Sequence, residues 1–329
     1  MNQLISVQAA ADLIRSGKFL SVAGPEKALD QLPAGQWVGG TIPYFMVDSG
    51  GVVVQDDAPQ VFVSDLSSLG QVSFAAYGAE ELAGITGNAP GNGFALTIIP
   101  AGGDVHRRFA ADAATYESAF LYPTVGWIAG VHLSDIGRVT PKVYDGRTAS
   151  KFEDRAVVAY VQLPDDKLAS VEIVNLFEAD GGDLLQFEET SFTVGDCLVN
   201  GRKTRFADYI RERGLEGGQL PLVGDYAGAR INVSLQSVGA AGGDVQLYAP
   251  VFPGIDYHFA KPVPDYVAAF KEQLAQGDAD GVVWSCNCIL NFVFGELEGK
   301  AIGGVQGPVT FGEIAYQLLN QTQVAVRIQ

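Results

Sequence analysis

Ile231-Asn232-Val233-Ser234-Leu235-Gln236 alternates apolar and polar side chains without a break. A strand sends successive side chains to opposite faces, so this hexapeptide predicts a strand with one buried face and one wet face. Val157 to Leu163 and Val171 to Phe177 also read as strands, with Pro164-Asp165-Asp166 turning between them. Upstream, Val52 to Val54 and Val61 to Val63 flank Gln55-Asp56-Asp57-Ala58-Pro59, which predicts a hairpin. Short turns of this kind join antiparallel neighbours. The predicted fold class is therefore α+β (mixed α/β), with layered, largely antiparallel or mixed sheets and flanking helices.

Helices punctuate the strands. Ser6 is placed to cap a first helix whose Ala10, Leu13 and Ile14 share a face, and Gly17 to end it. Further helices are predicted at Glu26 to Gln31, Val105 to Phe120 and Phe206 to Arg213, and after Pro264. Gly281 to Gly295 is free of charge but carries Ser285, Asn287 and Asn291. It is too short and too polar to span a bilayer and reads as a buried strand. Asn200-Gly201-Arg202-Lys203 is a polar turn before a fresh helix, which predicts a boundary near residues 198 to 205.

At 329 residues, with 47% hydrophobic and 18% charged side chains, the chain can bury a large core. Its formal net charge of −17 repels phosphate backbones and anionic headgroups, which argues against nucleic-acid and membrane partners. Three cysteines, Cys197, Cys286 and Cys288, make no disulfide framework, and a reducing cytoplasm is the expected location. The N-terminal residues show no basic-then-apolar secretory pattern, with Asp12 and Arg15 among the apolar side chains.

Several residues are candidates for chemistry. Thr310-Phe311-Gly312-Glu313 has the spacing of a capping box, which predicts a helix start with Thr310 and Glu313 exchanging hydrogen bonds. The same geometry, with the glycines Gly303, Gly304 and Gly307 before it, offers free amides to a ligand, and Glu313 a carboxylate to an amino or hydroxyl group. Cys286 and Cys288 face one side of a strand, with Ser285 and Asn287 opposite. Two cysteines and the scattered His106, His132 and His258 do not make a zinc set, so neither metal nor cofactor is expected. A nucleophilic Cys286 would need a histidine brought to it by the fold, with His258 or His132 as the candidates. Asp104-Val105-His106-Arg107-Arg108 reads as an Asp-capped helix opening with solvated basic residues. The chain has no dinucleotide fingerprint, phosphate loop or serine elbow.

The C-terminal quarter resembles the FIST sensory-domain family. The resemblance rests on Ser285-Cys286 in a buried strand, the paired glycines, Phe311-Gly312-Glu313-Ile314 and Asn320-Gln321-Thr322, with Val38-Gly39-Gly40-Thr41-Ile42-Pro43 similar to the family's N-terminal glycine-rich segment. It implies a FIST_N-like half over residues 1–200 and a FIST_C-like half over 201–329. It also implies a non-catalytic sensory protein that binds amino acids or similar small polar ligands and works with a signalling partner. The expected ligand site joins Gly39, Gly40 and Thr41 as a turn with Ser285, Cys286, Asn287, Glu313, Asn320 and Thr322. A cysteine-dependent hydrolase or transferase using Cys286 with His258 is the alternative.

Overall fold

Ser6 does cap the first helix. Its side chain accepts from the Ala9 amide, the helix runs Val7–Arg15, and Gly17 follows at φ +83°. The computed structural model describes residues 2–55, 58–226, 228–275, 281–303 and 306–329. Strands hold 43% of the chain and helices 18%, which makes the fold α+β as the alternating segments imply. Among the described residues there are four six-stranded sheets and one three-stranded sheet.

A central sheet positions everything else. Its order is Gln317–Leu319, Glu313–Ala315, Thr124–Ala129, Gly93–Pro100, Arg155–Gln162 and Gln71–Gly78. Gly93–Pro100 and Thr124–Ala129 are parallel and the other neighbours antiparallel. The Gly93–Pro100 strand is buried on both faces. Leu96 and Ile98 enter one core with Val38, Trp127 and Cys286, while Ala95 and Ile99 enter another with Phe109, Ile314 and Phe259. That is why this strand is a nearly unbroken apolar run.

On the first side lies a sheet containing Leu20–Gly24 and Trp37–Thr41, itself covered by the Val7–Arg15 and Glu26–Leu29 helices. A further mixed sheet runs Ala169–Asn175, Thr322–Ile328, Val282–Cys288, Gly307–Thr310, Tyr44–Val47 and Gly50–Val53. The second core is closed by the Asp104–Asp112 and Phe206–Glu212 helices, by an antiparallel sheet and by the three-stranded sheet Ser191–Val194, Val245–Val251 and Leu235–Val238.

Several expectations are corrected. Gly50–Val53 pairs with Tyr44–Val47, and Gln60–Asp65 lies between Asn2–Ser6 and Leu20–Gly24, so the hairpin expected across residues 55–59 does not form. Asp56 and Asp57 lie outside the described residues. Arg155–Gln162 and Ala169–Asn175 likewise belong to different sheets. The stretch Gly281 to Gly295 is a strand only to Cys288. It continues as the helix Ile289–Phe294, drawn round by Asn287 Oδ1, which accepts from the Cys288 amide at 2.8 Å and from Asn291 Nδ2 at 3.0 Å.

The expected boundary at 198–205 is a hairpin: Asp196–Val199 pairs with Arg202–Arg205 around Asn200 and Gly201, both at positive φ. Four of the five sheets among the described residues, and both large cores, draw strands from either side of it, so a division into 1–200 and 201–329 cuts through packed structure. Among the described residues no helix is long and apolar enough to cross a membrane.

Candidate functional site

Thr310 and Glu313 do not open a helix. Thr310 ends the strand Gly307–Thr310, Gly312 takes φ +155°, and Glu313 begins the strand Glu313–Ala315 against Trp127. The side chains still meet, with Thr310 Oγ1 3.3 Å from Glu313 Oε1 and 3.0 Å from Gly312 O. Strand pairing on both sides overrides the local capping signal, so no row of free helix amides forms there.

Glu313 is fully buried. Its Oε2 accepts from the Thr322 amide at 3.2 Å and from Thr322 Oγ1 at 2.8 Å, and the Cys288 thiol also hydrogen-bonds its carboxyl. Burial dominates these bonds and pushes the pKa up to about 8. The group is therefore a neutral carboxylic acid at neutral pH. Its O–H has an acceptor in Thr310 Oγ1, which can turn its own hydrogen to the Gly312 carbonyl.

The neighbouring expected residues form the same sealed network. Cys286 Sγ donates to Gly126 O at 3.5 Å, Ser285 Oγ to Gln306 O at 2.6 Å, and Asn320 Nδ2 to Leu319 O at 3.0 Å. Asn232 and Ser234, expected on a wet face, are buried instead. Asn232 Nδ2 donates to Asn320 O at 3.1 Å, and Ser234 Oγ to Gln321 Oε1 at 2.7 Å. The expected single strand is divided at Ser234 between Ala229–Val233 and Leu235–Val238, which belong to different sheets, and Asn232 and Ser234 meet the Asn320-Gln321 turn rather than water.

Of the nine expected ligand residues, then, Ser285, Cys286, Asn287, Glu313, Asn320 and Thr322 come together, and none of them lines a described cavity. Gly39 and Gly40 are not a turn. They lie in the strand Trp37–Thr41, where a Cβ at Gly39 would sit 2.5 Å from Val22 O and one at Gly40 2.8 Å from Ile98 and Trp127. These glycines permit close sheet packing, not ligand approach. Gly304 lies outside the described residues.

Cys286 has no histidine beside it. The groups that act on its thiol are Glu313, Cys288, Thr310 and Val324, while His258 sits in the strand Asp256–Phe259 of another sheet. Burial, then the Glu313 charge, push the thiols of Cys286 and Cys288 well above their usual range, and burial pushes Cys197 up to about 12. Thiolate is the reactive form. All three thiols are expected to stay silent toward a disulfide reagent at neutral pH and to react together once the protein is denatured. One fast thiol, lost in Cys286→Ser, would instead support cysteine catalysis. Among the described residues no group of three His, Cys, Asp or Glu side chains is placed to hold a metal ion.

Open space lies elsewhere. Thr41, the one expected residue that lines a cavity, borders a space of about 590 Å³ with His132, Glu26 and Asp135. Its Oγ1 already accepts from the Lys142 amide at 2.9 Å. The carboxylates there carry cations: Glu26 binds Lys142 and Lys151, and Asp135 binds Arg138. A second cavity of about 500 Å³ is bordered by His106, Phe192, Gln236, Tyr248 and Phe311. The two share Val131 and Val139, so the segment between these valines forms their common wall.

His106 is the residue that sequence reasoning missed. It lies in the first turn of the Asp104–Asp112 helix, only 8% exposed, and burial followed by the Arg107 charge pushes its pKa down to about 4. Its Nδ1 accepts from the Gly102 amide at 3.2 Å. Nothing in the run Asp104 to Arg108 distinguishes a solvated imidazole from one sealed by Phe192, which arrives from a distant strand. Behind this cavity stands the buried cluster, since the Tyr248 hydroxyl is raised by burial and by the nearby Cys288 thiol.

Residues 5–329 match the model of a family described as "Family of unknown function (DUF6976)", and the chain belongs to that family. No curated protein matches it.

Proposed function

We propose that this member of the DUF6976 family is a non-catalytic small-molecule-binding protein whose ligand occupies the cleft on either side of the wall formed by Val131 and Val139. One observation carries the reading. The chain keeps two adjoining cavities of about 590 and 500 Å³, within the size range of small-molecule sites, while Cys286, Cys288 and Glu313 are packed away from both. A sensory use, with a signalling partner, is the part of the proposal that rests on the FIST-like motifs alone. An amino-acid ligand would place its ammonium near Glu26 or Asp135, which already hold lysines and an arginine. The more apolar cavity beside His106 is therefore the better-supported half of the cleft.

A thermal-shift screen with organic acids, amides, amino acids and nucleotides tests this. A ligand present at 100 times its dissociation constant stabilises the folded state by about 2.7 kcal/mol. At least one compound is expected to raise the Tm, and Val139→Trp to abolish the effect. Val139 is 41% exposed, so the larger ring can fill the shared wall at little cost to folding. A screen without hits, or hits indifferent to Val139→Trp, would refute the assignment.

A further inference from the structure

We propose that the cavity between the Asp104–Asp112 helix, the Ser191–Val194 strand and Phe311 binds a planar, uncharged ligand through a hydrogen-bond acceptor, such as an amide carbonyl, that receives the His106 Nε2–H. This rests on the assignment of the cleft as a ligand site.

The imidazole is the starting point. Because Nδ1 accepts from the Gly102 amide, the neutral ring carries its proton on Nε2. That N–H is buried and has no partner among the described residues. Leaving a buried donor unpaired is costly, and a ligand acceptor recovers that cost. The walls select the rest of the ligand. Phe192, Phe311, Leu247 and Ile136 offer flat or apolar surface. In a chain of net charge −17, no carboxylate of the described residues lines this cavity. Its one cation, Arg107, is held at 2.6 Å by both Asp104 Oδ1 and Gly102 O. An ammonium finds no counter-charge there, and a carboxylate finds an arginine already neutralised.

Phe192 supplies the entrance. Its ring meets the imidazole edge-on, with centroids 6.1 Å apart. It lies where the pairing of Ser191–Val194 with Val245–Val251 slips, between Ser191 and Thr193. Ser191 pairs with Val251 and Thr193 with Gln246, so the extra residues belong to Val245–Val251 and Phe192, opposite them, has no ladder partner. Turning this ring aside uncovers Nε2.

Three probes with one indole body separate the head groups: indole-3-acetamide, indole-3-acetate and tryptamine, titrated into the full chain and followed by the His106 Nε2–H resonance. The amide is expected to shift that resonance and to bind at least about tenfold more tightly than tryptamine, as a single matched hydrogen bond allows. His106→Phe is expected to weaken the amide by a similar factor, and the wild-type resonance shift stands as evidence even if that variant folds poorly. Equal binding of tryptamine, an unmoved resonance, amide affinity unchanged in His106→Phe, or no binding of any probe would overturn the ligand class. The Val139→Trp-sensitive compounds of the wider screen would then still stand for the cleft. Only the absence of any such compound defeats both.

Discussion

Glu313→Gln is expected to fold as well as the parent protein and to become the more stable of the two as the pH rises. The physics is the protonation of a sealed carboxyl. Glu313 has an ordinary pKa of 4.5, raised to about 8 in the folded protein mainly by burial. Between these values the folded state holds a proton that the unfolded chain has lost. Its contribution to stability is thus complete below pH 4.5 and is lost as the pH climbs through about 8. The full loss is (8 − 4.5) × 1.36, or about 5 kcal/mol.

His106 acts in the opposite sense at lower pH. Its folded pKa lies near 4 against an ordinary 6.5, so the unfolded chain binds the extra proton and stability rises with pH across that window. The two trends oppose one another up to about pH 6.5, above which the Glu313 loss stands alone. Denaturant unfolding of both proteins isolates the carboxyl, because the His106 contribution cancels in their difference. That difference is expected to change by about 1.4 kcal/mol per pH unit between pH 5 and 8. The amide can accept from Thr322 through its oxygen and donate to Thr310 Oγ1, so no buried group is stranded. A difference that does not vary with pH would mean that Glu313 is ionised in the fold.

Gly126→Ala is expected to destabilise the protein by more than about 4 kcal/mol, with a fall in Tm above about 8 °C or loss of soluble protein. Gly126 has φ +151° in the parallel pair at the centre of the molecule, and a Cβ there would lie 1.7 Å from Thr97 O. The obstruction is backbone, so no rotamer change relieves it. Its carbonyl also receives the Cys286 thiol, so displacement spreads into the neighbouring sheet. Gly17→Ala provides the control. It shares a positive φ, +83°, but has nothing within 4 Å, and should cost only about 1 kcal/mol. Equal thermal melts for the two variants would contradict the steric explanation.

Local signals in the sequence served where the cause of structure is local. Ser6 caps its helix because the needed amide is three residues away. The period-2 run at Ile231 to Gln236 is extended on either side of Ser234, but as the end of Ala229–Val233 and the start of Leu235–Val238, two strands of different sheets rather than one. Partner choice is not local. The turns after Val54 and Leu163 suggested hairpins, yet the strands flanking each turn do not pair with one another: Gly50–Val53 turns back on Tyr44–Val47, while Gln60–Asp65, Arg155–Gln162 and Ala169–Asn175 each find other partners. The same reason moved Asn232 and Ser234 from solvent to the core, since their partners Asn320 and Gln321 lie almost ninety residues downstream.

The candidate site divides along the same line. The residue types at Cys286, Cys288, Glu313 and Thr322 rightly marked a place where polar groups converge, and they converge in the core. What residue types do not carry is whether space remains between them. The cavity beside His106 is bounded by a helix start, a bulged strand and Phe311, three segments separated by long stretches of chain. No motif spans it, and only the tertiary arrangement leaves the imidazole donor unpaired.

The protonation of Glu313 in the native protein is the most direct point of decision. A ¹³C NMR titration of its side-chain carboxyl should show a neutral acid throughout the acidic range and a midpoint close to 8. A midpoint near 4.5 would place an ionised, hydrated carboxylate where a sealed one is described, and would return Glu313 to the list of groups able to meet a ligand.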